Sequence, residues 1–174
     1  MLTTVEIDRQ LLPVLRRMEA AGVRLDTAYL DRLSDDLQDQ IATLTITIFE
    51  LAGHPFAINS PKQLAIVLFD ELALGGSDPS RQSRPTGFST AAAELDQLRD
   101  THPIIAPVLR YRELTKLLST YVWPLPQLVD NQGRLHTHYA PDAASGRLSS
   151  RQPNLQNIPI RTELGRSIRR AFVA

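Results

Sequence analysis

Residues 145–161 read Ser145-Gly-Arg-Leu-Ser-Ser-Arg-Gln-Pro-Asn-Leu-Gln-Asn-Ile-Pro-Ile-Arg161: three arginines, three serines, two glutamines, two asparagines and no acid. These side chains are hydrogen-bond donors of several lengths, and they match the oxygens of phosphate and sugar. Arg147 and Arg161 are also long enough to reach base edges. In the minor groove, purine N3 and pyrimidine O2 are acceptors in every base pair, so a donor placed there checks pair geometry without reading sequence. That chemistry suits a protein that handles duplexes of any sequence. The same composition also suits a polar loop whose amides satisfy neighbouring backbone, and composition alone leaves both open.

Other candidate chemistry is incomplete. Two-metal phosphoryl transfer needs converging carboxylates, but the basic end offers Glu163 alone and Asp142 has no acidic neighbour. Asp31, Asp35, Asp36 and Asp39 share a helix face, as ordinary solvated acids do. His136 and His138 fall on one face of a possible strand, yet two ligands are too few to hold a metal. Both are expected to be structural, as are His54 and His102. Gly75-Gly76 and Gly165 belong to no phosphate-cradling pattern, and Ser149 and Ser150 lack a His/Asp partnership for hydrolysis. Trp123, between two helical segments, is expected to pack rather than to stack on bases. The chain is expected to supply no catalytic residue and no metal ligand set.

Charge is split along the chain. Residues 147–174 carry six arginines against Glu163, a net of +5, while residues 1–146 carry 13 basic and 18 acidic groups, a net of −5. A basic end of this kind points to an anionic partner or to a solvated helix face. With 43% apolar residues and zero net charge the chain reads as globular, and its length suits one domain or one domain plus part of another. The absence of Cys excludes a disulfide framework and thiolate zinc sites. No apolar run approaches the ~18 residues of a membrane span, and Met1–Glu6 lacks the basic start and apolar core of a signal peptide. The expected location is cytoplasmic.

These side chains need elements to carry them. Thr3-x-x-Glu6 forms a capping box ahead of Leu11, Leu12, Leu15 and Met18, Pro13 bends that helix or marks its start, and Gly22 ends it. Asp26 caps the strongest stripe in the chain, Leu30, Leu33, Leu37, Ile41, Leu44, Ile48 and Leu51, closed by Gly53. Asp35, Asp36, Asp39 and Gln40 keep its outer face wet. Ser60 and Pro61 start a further helix. After a breaker-rich loop over 75–88, Ser89 or Thr90 caps a short helix. Pro103 opens a long helix with Ile104, Val108, Tyr111, Leu114, Leu118 and Val122 on one face. The two long stripes, 27–52 and 104–122, are expected to pack antiparallel as a stalk. Asn131–Gly133 is a turn, Arg134–Tyr139 alternates as a strand, the chain to Ile160 reads as loop, and Glu163–Phe172 as a last helix.

The 145–161 stretch closely resembles the bacterial family A DNA polymerases (DNA polymerase I type), whose pattern Thr/Ser-Gly-Arg-Leu-Ser-Ser…Pro-Asn-Leu-Gln-Asn-Ile-Pro is highly specific. The resemblance extends over essentially the whole chain. It continues through Leu15…Met18-Glu19…Gly22–Asp26, Ile58–Leu64, Thr86-Gly87…Ser89-Thr90, Tyr111–Leu117 and Gly165…Ile168–Phe172. It implies a mainly α chain: an antiparallel helical stalk, the thumb, followed by the first strand, loop and helix of an α+β palm. The expected divisions are an N-terminal helix at 1–23, the thumb at 24–130 and the incomplete palm at 131–174.

The resemblance also implies roles. Thr86, Ser89 and Thr90 at the tip, with Tyr111 and Lys116, would hold the duplex backbone. Arg147, Ser149, Asn154, Gln156, Asn157 and Arg161 would line the primer–template minor groove and its phosphates. The metal-binding carboxylates and the fingers would lie beyond Ala174, so the chain itself binds no cofactor while the complete polymerase uses Mg²⁺. Its partners would be double-stranded primer–template DNA and the remaining palm and fingers, with no membrane, in a bacterial cytoplasm beside the nucleoid. Some positions depart from the family. A second lysine is Leu118 here, tip lysines are Arg84 and Phe88, and Ala143-Ala144-Ser145 replaces a Thr-rich run. One lost lysine flattens the salt dependence of binding by about one unit of slope. A free-standing DNA-binding protein derived from a thumb is the alternative function, and a helical interaction protein with a decayed basic tail is a third.

Overall fold

A computed structural model of the chain describes residues 4–74, 89–141 and 147–174. The expected Thr3 cap, the Thr86 tip, Arg84, Phe88, Asp142 and Ala143–Ser145 lie outside the described residues. In chain order the elements are α1 (Thr4–Ala21), β1 (Val23–Leu25), α2 (Thr27–Ala52) and α3 (Pro61–Ala65), which runs on as a π-type turn over Ile66–Glu71. Next come α4 (Ala92–Asp96), then α5 (Ile105–Leu117) with a π-type continuation over Leu118–Val122, and a 3₁₀ turn at Leu125–Leu128. The chain finishes with β2 (Arg134–Leu135), β3 (His138–Pro141), β4 (Leu148–Arg151), α6 (Glu163–Arg169) and β5 (Phe172–Val173). Two compact units result, one of Met1–Asp35 with Leu117–Ala174, the other of Asp36–Lys116.

In the unit of residues 36–116, Ser60 accepts the Gln63 N–H and Pro61 holds the first helical position of α3, as its sequence dictates. The core gathers Ile48 of α2, Leu64, Val67 and Leu68 of α3 and its continuation, Leu95, and Ile104, Ile105 and Val108 where α5 begins. The α5 stripe is as expected, with Val108, Leu114, Leu118 and Val122 buried and Tyr111 half-buried. The α2 stripe is dry only at intervals: Leu30, Leu37 and Ile48 are buried, but Leu33, Ile41 and Leu44 are half-open. Neither Ser89 nor Thr90 takes the N-cap of α4. Ala91 stands there, and the Ser89 hydroxyl accepts the Ala91 N–H at 3.2 Å, one step earlier.

In the other unit Asp26 caps α2, accepting the Tyr29 N–H at 2.8 Å. Near the start of α2, Ser34 accepts from the Trp123 indole N–H at 3.0 Å, whereas near its end Ile48 shares the core with the first turn of α5. Trp123 is tied by this bond while remaining 49% exposed. On α1 only Leu15 of the expected series is buried, and Leu12 and Met18 are 44% and 46% exposed. Successive helical residues turn by about 100°, so Leu11 and Leu12 cannot share one face. Pro13 lies inside α1.

Three strands missing from the sequence reading close this unit. β1 is the centre of an antiparallel sheet ordered β2-β1-β5, pairing Val23 with Leu135 and Leu25 with Phe172. α6 therefore stops at Arg169, and Phe172 belongs to a strand. The expected strand 134–139 is split, because the chain changes partner after Leu135: β3 pairs instead with β4, from His138 opposite Arg151 to Pro141 opposite Leu148. The buried Thr137 marks the break, its hydroxyl within reach of the Arg151 and Pro153 carbonyls at 3.0 and 2.7 Å.

The C-terminus of α1 has no basic residue in its last turn. β2 and the residue after it supply the cations instead. Arg134 donates to the carbonyls of Ala21 and Gly22, and His136 Nδ1 donates to that of Glu19 at 2.7 Å. His136 Nε2 faces Asp130 Oδ2 at 3.0 Å. A carbonyl and a carboxylate only accept, so this pair of contacts favours the doubly protonated ring of His136. The Glu19 carbonyl, then Asp130, raise its pKa; His136, then the Arg134 N–H, lower that of Asp130. The His136 contribution is complete below about pH 6.5 and is lost as pH rises through the raised value; that of Asp130 is complete above about pH 3.9 and is lost on acidification. His54, held up by Glu71 at 2.7 Å, acts in the same direction as His136. The melting temperature is therefore expected to fall as pH rises above about 6.5. His136→Gln should flatten much of that fall and His54→Gln only part; an identical pH profile in His136→Gln would refute the clasp.

Candidate nucleic-acid interface

The arginine- and amide-rich stretch is not a loop throughout. Its first part is β4, stitched to β3 by backbone pairing and by the Ser149 hydroxyl, which donates to the Ala140 carbonyl at 3.1 Å. Ser150 Oγ accepts the Leu155 N–H at 3.0 Å, starting a tight return. Asn154 Oδ1 accepts the N–H groups of Gln156 and Asn157 at 3.0 and 3.3 Å, an Asx turn. The Gln156 carboxamide brackets β4, accepting from Ser150 N–H and donating to the Leu148 carbonyl. Arg169 reaches back from α6 to the Ile158 and Pro159 carbonyls at 2.9 and 3.2 Å. Gly165 lets α6 approach that segment, since a Cβ there would meet the Pro159 backbone.

The two readings of this stretch thus divide by residue. Ser149, Gln156 and the Asn154 carbonyl oxygen are spent on local backbone. Arg147, Arg151, Asn154, Asn157 and Arg161 are exposed. The carboxamide of Asn157 and the guanidinium of Arg161 make no hydrogen bond or ion pair among the described residues, and the same holds for Arg151, Arg166 and Arg170, which are exposed on or near α6 and β4. The result is an acid-poor edge that presents cations and amides outward. Among the described residues no three His, Cys, Asp or Glu side chains gather to hold a metal.

The unit of residues 36–116 carries the remaining candidates. A cleft of about 890 Å³ is lined by Asn59, Lys62, Ser89, Thr90 and Arg112, among others. Arg112 is half-buried, which pushes its pKa down, and its Nη1 donates to the Thr90 carbonyl at 2.5 Å. The Thr90 side chain is itself only 7% exposed. Tyr111 packs against the core and Lys116 is exposed at the end of α5. Leu118, in the π-type continuation of α5, is buried. Asn59, Lys62 and Arg112 were not singled out as site residues, although all three lie within the resembling stretches Ile58–Leu64 and Tyr111–Leu117.

The described residues thus form a helical scaffold with an acid-poor edge of arginines and amides. The chain belongs to DNA polymerase family A, whose family model matches residues 27–174. It is 54% identical over 171 residues to the thermostable DNA polymerase I of Thermus aquaticus, covering 97% of this chain and 20% of that protein. With DNA polymerase I of Deinococcus radiodurans it shares 51% over 172 residues, 97% of this chain and 18% of the relative. The chain thus spans about a fifth of the length of the relatives it matches. Among solved structures it is similar to the POL domain of Pol1 from M. smegmatis in complex with DNA primer-template and dNTP, with a TM-score of 0.79 and 42% identity over 91% of this chain and 28% of that one. The fold is accordingly mainly α with small antiparallel sheets, a polymerase thumb leading into the start of a palm. No helix among the described residues is long and apolar enough to cross a membrane.

Proposed function

We propose that the chain is the duplex-gripping segment of a DNA-directed DNA polymerase that serves replication and repair synthesis in a bacterial cytoplasm, at the nucleoid. The thumb occupies residues 24–130 behind an N-terminal helix at 1–23, and the palm begins at 131. The reading is carried by the outward-facing arginines and amides of 147–161 in a chain similar to a polymerase domain that holds primer-template. Arg147, Asn154, Asn157 and Arg161 meet minor-groove acceptors and nearby phosphates. Ser149 and Gln156 hold the hairpin that presents them. Lys116 meets a phosphate, while Thr90 and Tyr111, with Ser89, shape the second contact region. Bond-making, with its Mg²⁺ and its carboxylates, is assigned to the rest of a complete polymerase.

Fluorescence anisotropy with a labelled primer–template tests this directly. Each neutralised phosphate contributes about 0.9 to the slope of log K against log salt, so a grip by three to five of the exposed cations gives a slope of about −3 to −5. Binding should be indifferent to sequence and should occur without nucleotide incorporation. No binding at low salt, a slope near zero, or incorporation by the pure chain would contradict the proposal.

A further inference from the structure

Tyr121 stands in the π-type stretch that continues α5, and its hydroxyl donates to the main-chain carbonyl of Asn157 at 2.6 Å. Other bonds of this return (Ser150 to Leu155, Gln156 to β4, and the Asn154 Asx turn) tie it to its own hairpin, and Arg169 of α6 holds the Ile158 and Pro159 carbonyls that follow it. At Asn157 the tie to another element is Tyr121. Beside it lies a cavity of about 160 Å³ lined by Tyr121, Pro124, Leu125, Pro153, Asn154 and Asn157. A turn that borders a cavity lacks packing on that side, so another tie must fix its height. The phenol does so, while the Asn157 carboxamide stays exposed and unbonded among the described residues.

We propose that Tyr121 is a positioning residue for the duplex: it fixes the backbone at Asn157 so that this carboxamide meets minor-groove acceptors at a set height. The proposal rests on the duplex-binding function above. Tyr121 touches no base itself and acts through Asn157. Helix geometry adds to the assignment, because π-type turns let a helix aim one side chain out of its regular register, and they recur at functional sites.

A double-mutant cycle on the full 174-residue chain tests this, with Tyr121→Phe, Asn157→Ala and the double variant titrated against a labelled primer–template at low salt. Tyr121→Phe removes one hydrogen bond and keeps the ring, and is expected to weaken binding about threefold to tenfold. In the Asn157→Ala background the same change should cost less than about twofold, since the group it positions is gone. Amide exchange at Asn157 and Ile158 should accelerate in Tyr121→Phe whether or not DNA is present. Equal losses in both backgrounds, no loss in Tyr121→Phe, or unchanged exchange overturns the proposal. Absence of binding by the wild-type chain instead overturns the duplex reading itself. That result is distinguishable, because failure of the Tyr121 role leaves wild-type binding intact.

Discussion

Arg147→Ala is expected to lower the affinity of the chain for primer–template by about 10- to 100-fold while leaving its melting temperature within about 2 °C of wild type. The residue is exposed at the entrance to β4, where its guanidinium can extend to acceptors that every base pair presents in the minor groove. Loss of one such contact is worth about 1–3 kcal/mol, and an exposed side chain takes little folding stability with it. Gln156→Ala is the instructive contrast. Its carboxamide is bonded to Ser150 and Leu148, so its removal should lower the melting temperature first and weaken binding only through a loosened hairpin. In a complete polymerase, Arg147→Ala should be the most harmful substitution of this edge for extension. Unchanged affinity and unchanged extension would remove Arg147 from the interface and favour a helical protein with an idle basic tail.

A large effect on stability is expected at Gly22. Its φ is +60°, and a Cβ there would lie 2.9 Å from two atoms of the His136 ring and from the Leu135 carbonyl. Gly22→Ala therefore adds left-handed strain of about 1–2 kcal/mol to an overlap with backbone of about 1–3 kcal/mol. The sum, about 2–5 kcal/mol, corresponds to a melting temperature lower by about 4–20 °C. The overlap falls on the ring that clasps α1, so the pH dependence assigned to His136 should weaken in the same variant. Gly53, at φ +81° with open space around its Cβ position, is the control. Gly53→Ala carries the strain alone and should cost about 1 kcal/mol. Equal losses at the two glycines would show that the approach of β2 to α1 is not tight.

What could be read in the sequence was local. Asp26, Ser60 with Pro61, Gly22 and the Asn131–Gly133 turn all act through bonds spanning three or four residues, and each lies where expected. The α5 face was legible because its apolar positions keep helical spacing over five turns. β1, β4 and β5 were not, because strands of two to four residues are too short to show alternation. The pairing of β1 with β2 and β5 also joins residues more than a hundred positions apart, as Arg24 does with Arg134 and Val173. The clasp of α1 by Arg134 and His136 is equally non-local, so His136 read only as a structural histidine.

At the candidate site, residue types indicated an anionic partner but not which side chains would be spent internally. Gln156 and Asn154 look alike in sequence. One has its carboxamide committed to β4, while the other commits only its oxygen to an Asx turn. Arg112, Lys62 and Tyr121 were passed over for the opposite reason: they sit in helices or at their ends, among residues that read as scaffold. Their surroundings, a cleft in one case and a hydrogen-bonded turn over a cavity in another, emerge only when distant segments meet.

Isotope-labelled chain titrated with a short primer–template at low salt, with perturbations read residue by residue, asks directly where nucleic acid sits. Changes should concentrate on Arg147, Asn154, Asn157 and Arg161, with a second, weaker group around Lys116 and the Lys62–Arg112 cleft, and should recede together as salt is raised. Perturbations confined to α1 or to the β2-β1-β5 sheet, or none at saturating duplex, would mean that the outward arginines and amides serve something other than DNA.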